Sequence, residues 1–420
     1  MWRHLIPVPR FSLMPPRLRG AVCSRQQSTR RTASPDTISA LKDLLGVRLS
    51  TSRSVLDQHG TDESYHDVTP PDAVAFVEST EEVAEVIKIC AATRTPVIPF
   101  GAGTSIEGHI SAVAGGVSLN ADLRATGLMF PVDPGANATI GGMVATNASG
   151  TTTVKYGNMK TNVLSLTAVM ADGRIIKTGS KTRKSSAGYD LTRLLIGAEG
   201  TLAVVTEVSP YLLALLPFRE TNNHQFANIS MICSFDKMKD AIDTCTTVMQ
   251  MGIPVARMEM MDENVVDAVN RYSNLDNPLR PLLIIEHHGS VGELEQQSSV
   301  VQEIARDFGA MDIEDLKNSG LFGTIVGHVG DGNFHVLIPF TDDNKEHLGR
   351  MKAFSHRLVK RALACGGTCT GEHGIGIGKM DYLPMEHGEA VDFMYTIKKA
   401  LDPLDIMNPG KIFYANTHSN

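Results

Sequence analysis

Apolar positions along the chain recur at helical spacing in some stretches and alternate or cluster in others. Ala40, Leu41, Leu44 and Leu45 share one face of a short helix over 36–45. Ser79, Thr80, Glu81 and Glu82 before Val83, Val86, Ile87 and Ile89 form a capping box that opens a helix to about residue 93. A buried strand is expected over 96–100, with glycine directly after it. The runs 163–170 and 174–178 are β-prone and joined by Asp172-Gly173, the turn chemistry of a hairpin. Residues 196–206 read as a glycine turn running into a strand. From about 216 the pattern becomes strand 229–235, helix 236–250, strand 255–261, helix 263–272, strand 282–287 and helix 291–308. That alternation predicts a second, α+β domain of ferredoxin-like type. The apolar runs 323–326 and 334–338 flank a glycine turn, and helices follow over 342–364 and 389–401. No internal repeat interrupts this order, and no apolar run approaches the ~20 residues of a membrane-spanning helix.

Composition changes the picture at the N-terminus. Residues 1–33 hold seven arginines and no Asp or Glu, the composition of a mitochondrial or plastid transit peptide, although a basic tail that binds an acidic partner would look similar. Removing that leader takes the formal net charge from -7 to -14, which disfavours nucleic-acid binding. The expected organisation is therefore a leader over 1–33, a first domain over 34–215 and a second over 216–420. The six cysteines are too scattered for a disulfide framework and are read as reduced thiols.

Candidate chemistry concentrates in the last third. Val329-Gly-Asp-Gly-Asn333 should reverse the chain, which puts His328 and His335 at the two mouths of one turn. Two imidazoles and one carboxylate would leave open coordination positions, as in a catalytic metal site. The same histidines could equally be strand-end residues bonded to backbone carbonyls. Gly371-Glu-His-Gly374 adds a carboxylate and an imidazole between glycines that permit close approach of the backbone to a ligand. Neighbours in an extended segment point opposite ways, so Glu372 and His373 are expected to differ in role. Earlier, Gly101-Ala-Gly-Thr-Ser105 presents consecutive amides and two hydroxyls, a nest suited to phosphate or pyrophosphate, yet matches neither a dinucleotide-fold nor a P-loop signature, and a simple glycine-rich turn would read the same. The stretch 141–150 is built of small residues, so its backbone can lie against a flat, bulky ligand.

Assembled, these stretches resemble the vanillyl-alcohol-oxidase type of FAD flavoproteins, over about residues 35–414. The resemblance rests on Pro99-Phe-Gly-Ala-Gly-Thr-Ser105, Phe130-Pro-Val-Asp-Pro-Gly135, Gly197-Ala-Glu-Gly-Thr-Leu202, the His328–His335 turn, Gly371-Glu-His-Gly-Ile-Gly376 and Asn408-Pro-Gly-Lys411. It implies a two-part FAD-binding domain, then a ferredoxin-like substrate or cap domain and a C-terminal helical segment. Pro99, Gly101, Ala102, Gly103, Thr104 and Ser105 would hold the FAD pyrophosphate. Pro131, Asp133, Pro134 and Gly135, with Gly141, Gly142, Thr146, Asn147 and Gly150, would line the rest. So would Tyr156, Gly157, Gly197, Glu199, Gly200, Thr201, Val205 and Asn408. The resemblance further implies a divalent metal, zinc or manganese, on His328, His335 and Glu372, with His373 as general base. The implied reaction is oxidation of D-lactate to pyruvate in the mitochondrion, in the matrix or at the inner membrane, with electrons passing to cytochrome c or another acceptor. D-2-hydroxyglutarate or glycolate is an alternative substrate, and a homodimer is a possible state. Two segments common in the family are missing, one after residues 116–120 and one between Asp315 and Ser319. The second puts substrate binding in question and admits a catalytically impaired isoform that acts only as a folded binding protein.

Overall fold

The computed structural model describes residues 30–121, 130–210, 226–274, 277–305, 324–338 and 344–414. Most of the expected leader, both breaks and the ends of two expected helices (305–308, 342–344) therefore lie wholly or partly outside the described residues. The last leader residues lie within them, and there Arg30 meets Asp72 at 2.9 Å and the Arg31 amide donates to the Ala114 carbonyl at 2.7 Å.

The helix Pro35–Leu45 forms where expected, with Ser34 as its cap and Leu41 and Leu45 buried. In the helix Thr80–Ala92, Ser79 Oγ accepts from the Glu82 amide at 3.1 Å. The Glu82 carboxylate reaches back one residue further than a capping box requires, accepting from the Glu78 amide at 2.8 Å. Both helices cover a four-stranded sheet of β1 (Leu49–Ser50), β2 (Ala73–Val77), β3 (Val97–Phe100) and β4 (Val117–Ala121), in the order β1-β2-β4-β3. Strands β2, β4 and β3 run parallel, with Val117 opposite both Ala73 and Val97. Leu41, Ile87, Val97 and Leu119 are fully buried there, each worth ~1.5–3 kcal/mol of transfer free energy. The Gly101–Ser105 loop leaves the C-terminal end of β3, the end of a parallel sheet at which open α/β folds bind ligands.

A second sheet holds the expected hairpin, β5 (Val163–Met170) and β6 (Ile175–Lys177), with β7 (Ala203–Pro210) on the other side of β5. The small-residue stretch before it differs from a bare ligand platform, because Ile140–Thr146 is a helix. Thr139 Oγ1 caps it at Gly142, and Asn147 ends it at φ 52°. The glycine loop after β3 lies against this cap, since a Cβ on Gly101 would stand 2.3 Å from Thr139 Oγ1.

The third sheet comprises β8 (Phe226–Ser234), β9 (Arg257–Met261), β10 (Leu282–Ser290), β11 (Thr324–His328) and β12 (His335–Leu337), in the order β12-β11-β9-β10-β8. Antiparallel β10 separates β8 from β9, giving the split strand-helix-strand unit of a ferredoxin-like domain. Along β9, Met258 and Met260 face a core with Ala241, Val248 and Val301 from the helices Met238–Gln250 and Val291–Ile304. Alternation turns Arg257 and Glu259 to the opposite face. That face meets the first half of the chain, where Tyr156 Oη lies 2.8 Å from His288 Nδ1 and Lys155 Nζ donates to the His288 carbonyl. The chain end returns to the first sheet, and Ile406 and Met407 pack in its core. No helix among the described residues is long and apolar enough to cross a membrane.

Candidate active site

The turn after β11 is a short 3₁₀ segment, Val329–Asp331, closed by Gly332 at φ 80°. Val326 pairs with His335 across it, so both expected imidazoles emerge from one hairpin, and their rings meet edge to face at 5.5 Å. Glu372 arrives from the loop after the helix Lys345–Ala364. Its Oε1 lies 2.8 Å from His335 Nε2 and 3.5 Å from His328 Nε2. The ligand atoms of all three residues fall within 4.8 Å of one another, a span that an ion with bonds of about 2.0–2.2 Å can bridge.

Two residues left unassigned from sequence complete the carboxylate's surroundings. Asn333 Nδ2 donates to Glu372 Oε1 at 3.0 Å, and Ser149 Oγ donates to Oε2 at 2.9 Å. Both stand inside stretches conspicuous in the sequence, the histidine turn and the small-residue segment. Gly371 must lack a side chain, since a Cβ there would meet Asn333 Oδ1 at 2.3 Å. The segment bends here, so Glu372 and His373 do not diverge as an extended strand would have them. His373 stacks on His335 at 5.0 Å, with its Nε2 3.8 Å from Glu372 Oε1.

Charge follows these contacts. Burial pushes the Glu372 carboxyl up, but the hydrogen bonds from His328 and His335 outweigh it and hold the group far below the usual carboxylate range. His328 is lifted to about 10, first by its hydrogen bond to Glu259 and then by Glu372. A divalent ion would compete with that proton for Nε2, so metal binding there releases protons. Burial, with His335 beside it, lowers His373 to about 4, which leaves its ring neutral and able to accept a proton at physiological pH.

The expected FAD residues fall into two groups. Among the described residues, the amides of Ala102, Gly103, Thr104 and Ser105 donate to no backbone carbonyl, and Ser105 Oγ is buried without a partner. This is an unspent anion nest at the end of β3, and the residues present fit a pyrophosphate. Pro99 packs behind it, its ring 2.8 Å from where a Cβ on Gly200 would stand. Other side chains are committed within the protein. Asp133 accepts from Thr151 and Thr152, and Tyr156 contacts His288. Thr146 bonds Gly142, Thr201 bonds Ala198, and Val205 lies in β7 opposite Ala168. Gly150 and Gly157 sit where a Cβ would strike Asp133 and Thr161. The Pro131 carbonyl accepts from Thr152 Oγ1 at 2.8 Å, Gly141 lies in the helix Ile140–Thr146, and a Cβ on Gly135 would meet open space.

Glu199 is fully buried and accepts from the amides of Ile375 and Gly376 at 2.6 and 2.8 Å, with His109 Nε2 3.2 Å away. Burial pushes its carboxyl up, but His109 and the two amides outweigh this and hold it down. Asn408 donates to the carbonyls of His109 and Glu199. The glycine turn 197–200 thus grips the loop that carries Glu372 and His373. A cavity of about 190 Å³ lies between them, walled by Thr146, Asn147, Gly197 and Glu199 on one side and Gly371, Glu372 and Gly374 on the other.

Two protein families match the chain. The FAD binding domain matches residues 71–122 and 110–179, and the C-terminal domain of FAD linked oxidases matches 227–319 and 313–412. Each match falls in two parts, which meet at 110–122 and at 313–319. A probable mitochondrial D-lactate dehydrogenase of Danio rerio is 37% identical over 98% of both chains. A mitochondrial cytochrome D-lactate dehydrogenase of Arabidopsis thaliana is 36% identical over 90% of this chain and 80% of its own. A glycolate oxidase subunit of Bacillus subtilis is 29% identical over 83% of this chain and 91% of its own. Among solved structures, alkyldihydroxyacetonephosphate synthase superposes with a TM-score of 0.66 at 16% identity, covering 90% of this chain and 85% of that one. p-Cresol methylhydroxylase gives 0.66 at 14% identity, covering 93% and 100%. Those two likenesses concern the fold alone, which is that of the vanillyl-alcohol-oxidase flavoproteins. From the two domain matches and the identity over nearly its whole length, the chain belongs to the FAD-linked oxidases, in the group of the mitochondrial D-lactate dehydrogenases.

Proposed function

We propose that this chain oxidises D-lactate to pyruvate in the mitochondrion, with FAD as its redox cofactor and a divalent metal, zinc or manganese, on His328, His335 and Glu372. The observation that carries the reading is the convergence of those three residues beside a neutral, half-buried imidazole at His373. When bound, the ion would supply Lewis acidity toward a 2-hydroxy acid and the flavin a hydride acceptor. His373 Nε2 takes the proton of the substrate hydroxyl, a role its neutral ring suits. Asn333 and Ser149 hold the Glu372 carboxylate in place, and Glu199 fixes the loop that presents both residues. Electrons leave to a cytochrome, the acceptor in the names of the relatives from Arabidopsis thaliana and Saccharomyces cerevisiae, with cytochrome c as the specific acceptor proposed. The cofactor domain spans 34–215 and the cap domain 216–420 in this reading.

One observation favours a second reading. The alignment with the Danio rerio relative runs over 500 residues, against 420 in this chain, so that relative holds segments with no counterpart here. A folded flavoprotein with impaired turnover follows if those segments close the substrate pocket. Anaerobic mixing of the purified protein with D-lactate, D-2-hydroxyglutarate and glycolate decides. Bleaching of flavin absorbance by D-lactate first supports the proposal, and yellow protein that none of the three bleaches supports the impaired form.

A further inference from the structure

His328 Nδ1 lies 2.9 and 2.8 Å from the two carboxylate oxygens of Glu259, while Nε2 of the same ring faces Glu372. The contact arises from strand register. Antiparallel β11 and β9 place His328 directly opposite Glu259, and alternation along β9 turns that carboxylate away from the buried Met258 and Met260. The Glu259 side chain is 15% exposed and its oxygens address the far side of the ring, so it is no member of the cluster formed by His328, His335 and Glu372.

We infer that Glu259 is a positioning residue for the metal centre: by accepting the Nδ1 proton of His328 it sets the ring's tautomer and orientation, so that the Nε2 lone pair points at the ion. Two consequences separate this from an ordinary ion pair between strands. A neutral histidine side chain in water prefers its proton on Nε2, the nitrogen that must be bare to ligate, and an acceptor fixed at Nδ1 reverses the preference. A carboxylate behind a ligating imidazole also makes that imidazole the stronger donor, and losing such a partner typically weakens metal affinity by 10–100-fold.

The inference rests on the metal reading above, and one experiment tests the two separately. Zinc is titrated into metal-stripped full-length protein against a chromogenic chelator, for the wild type, Glu259→Leu, Glu259→Gln and His328→Ala. Glu259→Leu should bind zinc about 10–100-fold more weakly. Glu259→Gln, whose amide oxygen still accepts but carries no charge, should fall between, and it carries the test if the leucine variant fails to fold. His328→Ala should lose the site. In parallel, ¹⁵N imidazole shifts of the zinc-loaded protein should report His328 bound through Nε2 and protonated at Nδ1 in the wild type, and a mixture of Nε2- and Nδ1-bound rings in Glu259→Leu, a change that a merely structural contact would not produce. Wild-type zinc affinity and an unchanged His328 signal in both Glu259 variants, with His328→Ala defective, overturn the role of Glu259 and leave the metal site standing. Zinc uptake unaffected by His328→Ala removes the metal reading and the role of Glu259 together.

Discussion

Ser149 donates its hydroxyl to Glu372 Oε2 at 2.9 Å, joining residues 223 apart in sequence. The bond ties the segment after the helix Ile140–Thr146 to the carboxylate at the centre of the candidate site. A hydrogen bond to a buried charged group contributes about 1.5–3 kcal/mol. A double-mutant cycle of Ser149→Ala and Glu372→Gln in denaturant unfolding should therefore return a coupling energy of about that size. Additive effects would show that the two side chains do not cooperate in solution.

Ligand and base should separate in variants. His335→Ala removes an imidazole 2.8 Å from Glu372 and should release metal while FAD stays bound, because the anion nest at Ala102–Ser105 belongs to a different segment. His373→Ala should keep its metal and lose substrate-driven flavin reduction by ~10²–10⁴-fold. Metal analysis and anaerobic stopped-flow absorbance read the two outcomes. Reduction at the wild-type rate in the His373 variant would exclude it as the base.

Two glycines isolate the effect of close packing. Gly374 sits at φ 76°, where a Cβ would lie 2.7 Å from Glu199 Oε1 and 2.8 Å from His109 Nε2. Gly366 sits at φ 80° with open space around it. Alanine at 366 should cost only the backbone term of about 1 kcal/mol. Alanine at 374 should cost at least ~1 kcal/mol more, because it displaces a buried carboxylate with three partners. Equal unfolding midpoints for the two variants would contradict the tight fit.

Lys411 is buried, with its ammonium donating to the Ser111 carbonyl and Asn408 Oδ1, and burial lowers it to about 7. Its unfolded value is about 10.4, so between pH 7 and 10 the unfolded chain holds the extra proton. Stability contributed by this group therefore rises with pH through that window, by at most ~1.4 kcal/mol per pH unit, and is flat below it. Denaturant unfolding at pH 7, 8.5 and 10 should show the wild type gaining on Lys411→Met as pH rises. Parallel curves for the two proteins would mean that Lys411 keeps its proton.

What the sequence determined by itself is local. Ser79 and Glu82 mark a helix start because the cap needs only neighbours, Asp172-Gly173 marks a hairpin because its turn chemistry is self-contained, and two histidines around a glycine turn must emerge together. Family motifs extended this to the flavoprotein fold and to the Glu372–His373 loop. The tertiary structure decided the rest, since register and packing join residues that carry no mutual signal along the chain. Strands β2 and β4 are short and buried on both faces, so no alternation announces them. Glu259 sits behind His328 only because β9 and β11 pair across 69 residues, and Asn408 reaches Glu199 only because the chain end returns to the first sheet. Glu372 and His373 share one side of their loop because glycines let it bend where an extended strand would have parted them.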